Sequence, residues 1–112
     1  MHRPGTNPND VKPSDVLCDF CGAAWDGASP VVEGHHGSVI CGDCLLRAYT
    51  VLLVEQGSTA PAGYTCTMCL EERNEPGWQC ERRAEGVICR RCANQSARVL
   101  DRDPDYEWTR PR

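Results

Sequence analysis

Eight cysteines of this 112-residue chain fall in four C-x2-C pairs: Cys18/Cys21, Cys41/Cys44, Cys66/Cys69 and Cys89/Cys92. Nineteen residues separate the first pair from the second, and nineteen again separate the third from the fourth. The whole block recurs at an offset of 48. Thiolates are soft donors, and a pair two residues apart wraps round one side of a metal. A second pair, returned by a hairpin, closes a tetrahedron. The expected cofactor is therefore zinc, two ions per chain, held by Cys18, Cys21, Cys41, Cys44, Cys66, Cys69, Cys89 and Cys92. Iron is the alternative metal for four thiolates, and buried free thiols or disulfides are the alternative without a metal. The tandem order favours one ion per repeat over interleaved pairs.

Such sites are structural. A catalytic zinc keeps a position open for water, and four thiolates fill it. No H-E-x-x-H and no deaminase-type H-x-E stands before either pair, so no enzyme activity is expected.

The elements that must position these pairs follow from the intervening residues. Pro30-Val31-Val32-Glu33 reads as a strand, Gly34-His35-His36-Gly37 as a turn, and Ser38-Val39-Ile40-Cys41 as the returning strand. From Gly42 the pattern is helical to about Gln56, and Gly57 is a natural stop. The second copy repeats the plan, with a hairpin from about Trp78 to Cys89 and a helix from about Arg90 to Leu100. Shifted by 48 without a gap, Glu33 falls on Glu81, Val39-Ile40 on Val87-Ile88, and Val51-Leu52 on Val99-Leu100. The fold class is thus small, zinc-stabilised α+β, two tandem lobes each built as knuckle, β-hairpin, knuckle and helix.

The expected organisation is a disordered segment over 1–14, a first lobe over 15–57 and a linker over 58–63. A second lobe over 64–101 and a loosely ordered tail over 102–112 complete it. Each lobe is too short to fold on apolar burial alone. A structural zinc, which contributes on the order of 10–16 kcal/mol in such units, supplies the difference.

Nine cysteines also suit a secreted disulfide scaffold. The odd count and the absence of an apolar leader after Met1 favour a reducing, cytoplasmic setting instead. The strongly apolar stretch from Leu45 to Val54 is about half a membrane span. The formal charge is −4, and eight thiolates with two divalent ions would carry it to about −8. Nucleic acid is therefore the disfavoured partner.

Cys18-Asp19-Phe20-Cys21-Gly22, the hairpin ending in Val39-Ile40-Cys41-Gly42-Asp43-Cys44, and the apolar helix after it resemble the N-terminal zinc-binding domain of the ClpX unfoldase family. That domain is a treble-clef zinc finger. The likeness covers roughly 16–56 and, more faintly, 64–100. It implies a domain that dimerises and docks adaptors and substrates. Departures are the loop between Gly22 and Pro30, and Leu70 where the glycine after the knuckle would stand. No G-x-x-x-x-G-K-[ST] exists, so the family's ATPase module is absent.

The remaining candidates carry plainer alternatives. His35 and His36 read as exposed turn residues, with an auxiliary ligand as the sharper idea. Cys80 falls opposite Val32 in the gapless shift and reads as a buried small hydrophobe, with a redox-sensing thiol as the alternative. Arg82, Arg83, Arg90, Arg91, Arg98 and Arg102 read as charge compensation for a thiolate cluster and a solvated helix face. Leu52 and Leu100, like Val51 and Val99, should fill each lobe's core. Leu46, Tyr49 and Leu53 become Asn94, Ala97 and Asp101 in the second copy, so the first lobe's stripe is surplus. Surplus apolar surface marks an interface. The expected function is a non-catalytic protein-interaction module, docking a partner protein or forming a homodimer through Leu46, Tyr49 and Leu53. A nucleic-acid-binding regulator using the second-lobe arginines and a thiol switch that releases zinc are the alternatives.

Overall fold

The computed structural model describes residues 1–111. β1 (Val31–Glu33) and β2 (Val39–Cys41) form the first antiparallel hairpin, and α1 (Gly42–Tyr49) follows directly. β3 (Gly77–Cys80) and β4 (Arg83–Cys89) form the second, followed by α2 (Arg90–Arg102). Among the described residues the architecture is small α+β, with two two-stranded sheets and two α-helices.

The two copies share their hydrogen bonds as well as their cysteines. Gly22 N donates to Cys18 O at 2.9 Å, and Leu70 N to Cys66 O at 2.8 Å. Asp19 N donates to Val39 O at 2.9 Å, and Thr67 N to Val87 O at 2.7 Å. Each knuckle is thereby latched to its returning strand by main-chain bonds that do not depend on side-chain identity. Leu70 adopts the left-handed conformation of Gly22, with φ 62° against 76°. Left-handed backbone costs a non-glycine residue about 1–2 kcal/mol. The second knuckle therefore holds its turn under strain that the first avoids.

The outgoing strands break the offset of 48. Val31 pairs with Cys41 and Gly77 with Cys89, so β1 maps onto β3 at an offset of 46. The segment between knuckle and strand is two residues shorter in the second copy, and the hairpin connection is two residues longer. The changes cancel, which preserves the nineteen-residue spacing. Glu33 is thus equivalent to Gln79, not Glu81, and Val32 to Trp78, not Cys80. The extra residues are taken up by a register irregularity between Gln79 and Cys80.

The first helix keeps α geometry to Tyr49 and then widens into a π-helical turn, Thr50–Val54. Thr50 Oγ1 donates back to Leu46 O at 2.8 Å, and Glu55 N reaches Thr50 O. The wider turn lags the α-helical phase. Leu53 accordingly packs against the core, half-buried, while Leu46 remains 42% exposed and Tyr49 is half-buried. Leu45, Ala48 and Leu52 are fully buried, as their spacing predicts.

One apolar cluster runs through both lobes, joining Phe20, Ile40, Leu45 and Leu52 to Met68, Trp78, Ile88 and Leu100. Leu52 and Leu100 fill the core as expected. Val51 is only half-buried and Val99 is 57% exposed, so that pair does not. The contact between lobes is close. A Cβ on Gly86 would stand 2.9 Å from Phe20 Cα, and one on Gly34 would stand 3.0 Å from Met68 Cα. Each knuckle tip is covered by the other lobe's hairpin. His35 N donates to Met68 O at 2.9 Å and Arg83 Nη1 to Asp19 O at 2.6 Å.

The segments outside the lobes have defined partners. Within 1–14, expected to be disordered, Arg3 N donates to Asp15 O at 2.7 Å and His2 bridges Val16. The stretch read as a linker lies along the outer edge of β3. Thr59 N donates to Gly77 O, and Gln79 N to Thr59 Oγ1, each at 2.8 Å. An edge strand leaves such groups unpaired, and the passing chain satisfies them. In the tail, Trp108 Nε1 donates to Gly42 O at 3.1 Å, and Arg110 pairs with Asp101 at 3.0 Å.

Candidate metal centres

The hairpins carry the second pair of each repeat back over the first. Cys18, Cys21, Cys41 and Cys44 come together, as do Cys66, Cys69, Cys89 and Cys92, with the sulfurs of each group within 4.8 Å of one another. The grouping is sequential and no cysteine is shared between repeats. Cys80 belongs to neither group; it is 3% exposed, a buried thiol as expected. All nine cysteines are free of disulfides.

The donor set fits zinc. A ZnS4 tetrahedron with bonds of about 2.3 Å has edges of roughly 3.8 Å. Cys18 Sγ lies 3.8 Å from Cys44 Sγ, and Cys21 Sγ lies 3.9 Å from Cys41 Sγ. Each of these edges joins one sulfur of the first knuckle to one of the second, which is the arrangement a closed tetrahedron requires.

The electrostatics point the same way. Thiol bonds from Cys41 and Cys44 hold Cys18 far below the ordinary thiol range, while the Cys18 thiolate pushes Cys41 and Cys44 up. In the second group, bonds from Cys89 and Cys92 lower Cys66, and Cys66 in turn raises Cys89 and Cys92. Four thiols this close cannot all ionise unless a cation stands among them. Each group could therefore hold one metal ion.

Both second knuckles open a helix. Cys41 and Cys89 are the N-caps of α1 and α2. The helix N-terminus favours negative charge there, and Cys92 N donates to Cys89 Sγ at 3.4 Å. Equivalent main-chain donors, Cys41 N and Cys89 N, reach Cys18 Sγ at 3.4 Å and Cys66 Sγ at 3.3 Å.

The arginines fall elsewhere than charge compensation would put them. Arg83 and Arg90 join the lobes, the latter by donating from Nε to Leu52 O at 3.3 Å. Arg82, Arg91, Arg98 and Arg102 are exposed. The guanidinium that reaches a ligand sulfur is Arg73, with Nη2 3.6 Å from Cys69 Sγ. Glu71 and Glu75 flank it as ion-pair partners. Sequence reading missed Arg73 because it stands outside the basic concentration. Its position four residues beyond Cys69, between two glutamates, is the signal that could have found it. His35 and His36 are exposed and join neither group.

Compared with protein-family models, with curated proteins and with solved structures, the chain finds no match in any of the three. Among the described residues no helix is long and apolar enough to cross a membrane.

Proposed function

We propose that this chain is a non-catalytic, cytoplasmic protein-interaction module in which two treble-clef-like lobes, similar to the ClpX zinc-binding domain, are each closed by one zinc ion. The observation that carries the reading is the pair of four-sulfur groups, each with its sulfurs within 4.8 Å of one another. Four thiolates leave a zinc no position for water, which supports structural over catalytic metal.

The partner we propose is a second copy, meeting this one through Leu46, with Tyr49 and the outer flank of Leu53 beside it. Leu46 is among the few large apolar side chains left exposed, at 42%. It borders a cleft of about 510 Å³ whose walls include Pro30, Asp43 and Trp108. Light scattering across a dilution series, with zinc content measured on the same samples, tests this. A dimer at high micromolar concentration that Leu46→Asp converts to a monomer is expected. A wild type that stays monomeric with both zincs bound overturns self-association.

One observation favours nucleic-acid binding as a second reading. Arg91, Gln95, Arg98 and Arg102 share one exposed face of α2, and none of these arginines has an ion-pair partner among the described residues. Phosphate binding through that face would weaken steeply with salt, whereas an apolar interface would not.

A further inference from the structure

The two centres differ in how their sulfurs are hydrogen-bonded. In the first, two main-chain donors, Phe20 N and Cys41 N, fall on Cys18, each at 3.4 Å. Cys18 is buried. Of the two half-buried sulfurs of that centre, Cys41 accepts from the amide of Cys44, and Cys21 receives no N–H donor among the described residues. In the second centre the main-chain pattern recurs and a side-chain donor is added. Cys89 N reaches Cys66, Cys92 N reaches Cys89, and Arg73 Nη2 reaches Cys69. Cys69 is the one half-buried sulfur of that group, and it is the one that carries the guanidinium.

Access alone does not separate the centres. Cys41 lines clefts of about 510 and about 180 Å³, and a cleft of about 220 Å³ reaches Cys69 and Cys92. The donors separate them. An N–H aimed at a metal-bound thiolate withdraws the electron pair that would attack an electrophile, so outer-shell bonds set sulfur reactivity. Cys21 combines partial exposure with undiminished donor strength.

We propose that the Cys21–Cys41 edge is a modification site for hydroperoxides, and that the second centre is built to resist the same reagent. This rests on the reading that each group holds zinc. The Cys21 thiolate attacks the terminal oxygen of the hydroperoxide, the O–O bond breaks, and an alkoxide or hydroxide leaves and takes a proton from water. Cys21 is then a sulfenic acid. The Cys41 thiolate, 3.9 Å away, attacks that sulfur and expels hydroxide, forming the Cys21–Cys41 disulfide. Two thiolates have lost two electrons, and the peroxide has been reduced to water or alcohol. The sulfurs close from 3.9 Å to about 2.05 Å. Cys18 and Cys44 remain, too few to enclose the metal, and the first centre empties.

The test is zinc release from the full chain, loaded with two zincs, after addition of hydrogen peroxide. A chromophoric chelator follows the metal, and peptide mass spectrometry maps the disulfide. One zinc should leave about tenfold faster than the other, with Cys21–Cys41 as the first disulfide and the second group still reduced. Arg73→Gln should speed only the slow phase. Two zincs leaving at one rate, or a first disulfide within the second group, overturn the proposal. A chain that purifies without zinc overturns the metal reading on which it rests. If Arg73→Gln fails to load two zincs, the order of release in wild type decides.

Discussion

Phe20, at the tip of the first knuckle, lies against Trp78 of β3, with ring centroids 6.1 Å apart and planes inclined by 32°. The aromatic pair joins the lobes beside the close approach of Gly86 to Phe20. Phe20 is completely buried, and Trp78 is 6% exposed. Met68, the counterpart of Phe20 at the tip of the second knuckle, is buried under the first hairpin. Each knuckle tip, a position that would face water in an isolated lobe, is part of the common core.

Unfolding should therefore be cooperative across both lobes. Phe20→Ala is expected to lower stability by about 3–5 kcal/mol. A denaturant titration followed by tryptophan fluorescence and by metal release should still show one transition. Two separated transitions in wild type would mean autonomous lobes.

Cys69→Ser should leave one zinc per chain, because three thiolates and a hydroxyl close the second centre poorly. The first centre, whose sulfurs are untouched, should keep its metal. Its denaturation midpoint should nevertheless fall, since Phe20 loses an ordered Trp78. Native mass spectrometry with denaturation of the same sample checks both halves of this expectation.

Gly86→Ala and Gly57→Ala form a matched pair. A Cβ at Gly86 meets the carbonyl of Asp19 and Phe20 Cα, which is backbone that cannot step aside. At Gly57 the nearest atoms are 3.5 and 3.7 Å away, an ordinary contact. The first change should cost about 1–3 kcal/mol. The second should be near neutral. Equal melting temperatures for the two variants would contradict the closeness of the lobe contact.

Leu70→Gly should stabilise the protein, because it relieves φ 62° at an exposed side chain. A gain of about 0.5–1 kcal/mol is expected after the added freedom of the unfolded chain is counted. Gly22→Leu, where a Cβ meets nothing within 4 Å, should lose stability by the backbone cost alone. Thermal melts of the two zinc-loaded variants against wild type should move in opposite directions.

Asp26 supplies a pH-dependent latch in the loop before β1. The Ser29 hydroxyl at 2.6 Å, with the amides of Ser29 and Ala28, holds its carboxyl down to about 2. A depressed carboxylate contributes stability that is present above its unfolded value near 4 and lost as pH falls through about 2. A carboxyl NMR titration should find this value, and Ser29→Ala should raise it towards the ordinary range. An unchanged value in the variant would discard the latch.

The cysteine spacing and its tandem order favoured the grouping of sulfurs that the fold adopts, without excluding interleaved pairs. A C-x2-C pair is a local turn, and a hairpin of nineteen residues can return one pair to another without help from the rest of the chain. The buried face of the first helix, Leu45, Ala48 and Leu52, was legible for the same reason, since α-helical periodicity is a local property. The two hairpins were equally legible as elements, but their equivalence was not. A loop shortened by two residues and a hairpin lengthened by two leave the spacing untouched, so only strand pairing reveals that Trp78 answers Val32.

What the tertiary structure alone decided lies between the lobes. Val99 is exposed, and Leu53 is packed because the π-helical turn shifts it towards the core; α-helical periodicity carries neither outcome. The linker pairs with β3 and Trp108 donates to the Gly42 carbonyl because those main-chain groups come within reach only once the elements are assembled. Arg73 reaches Cys69 while the arginines of the basic concentration do not, because a guanidinium goes where its stem and its acidic neighbours hold it. Composition counts charges; only the folded chain assigns them to sulfurs.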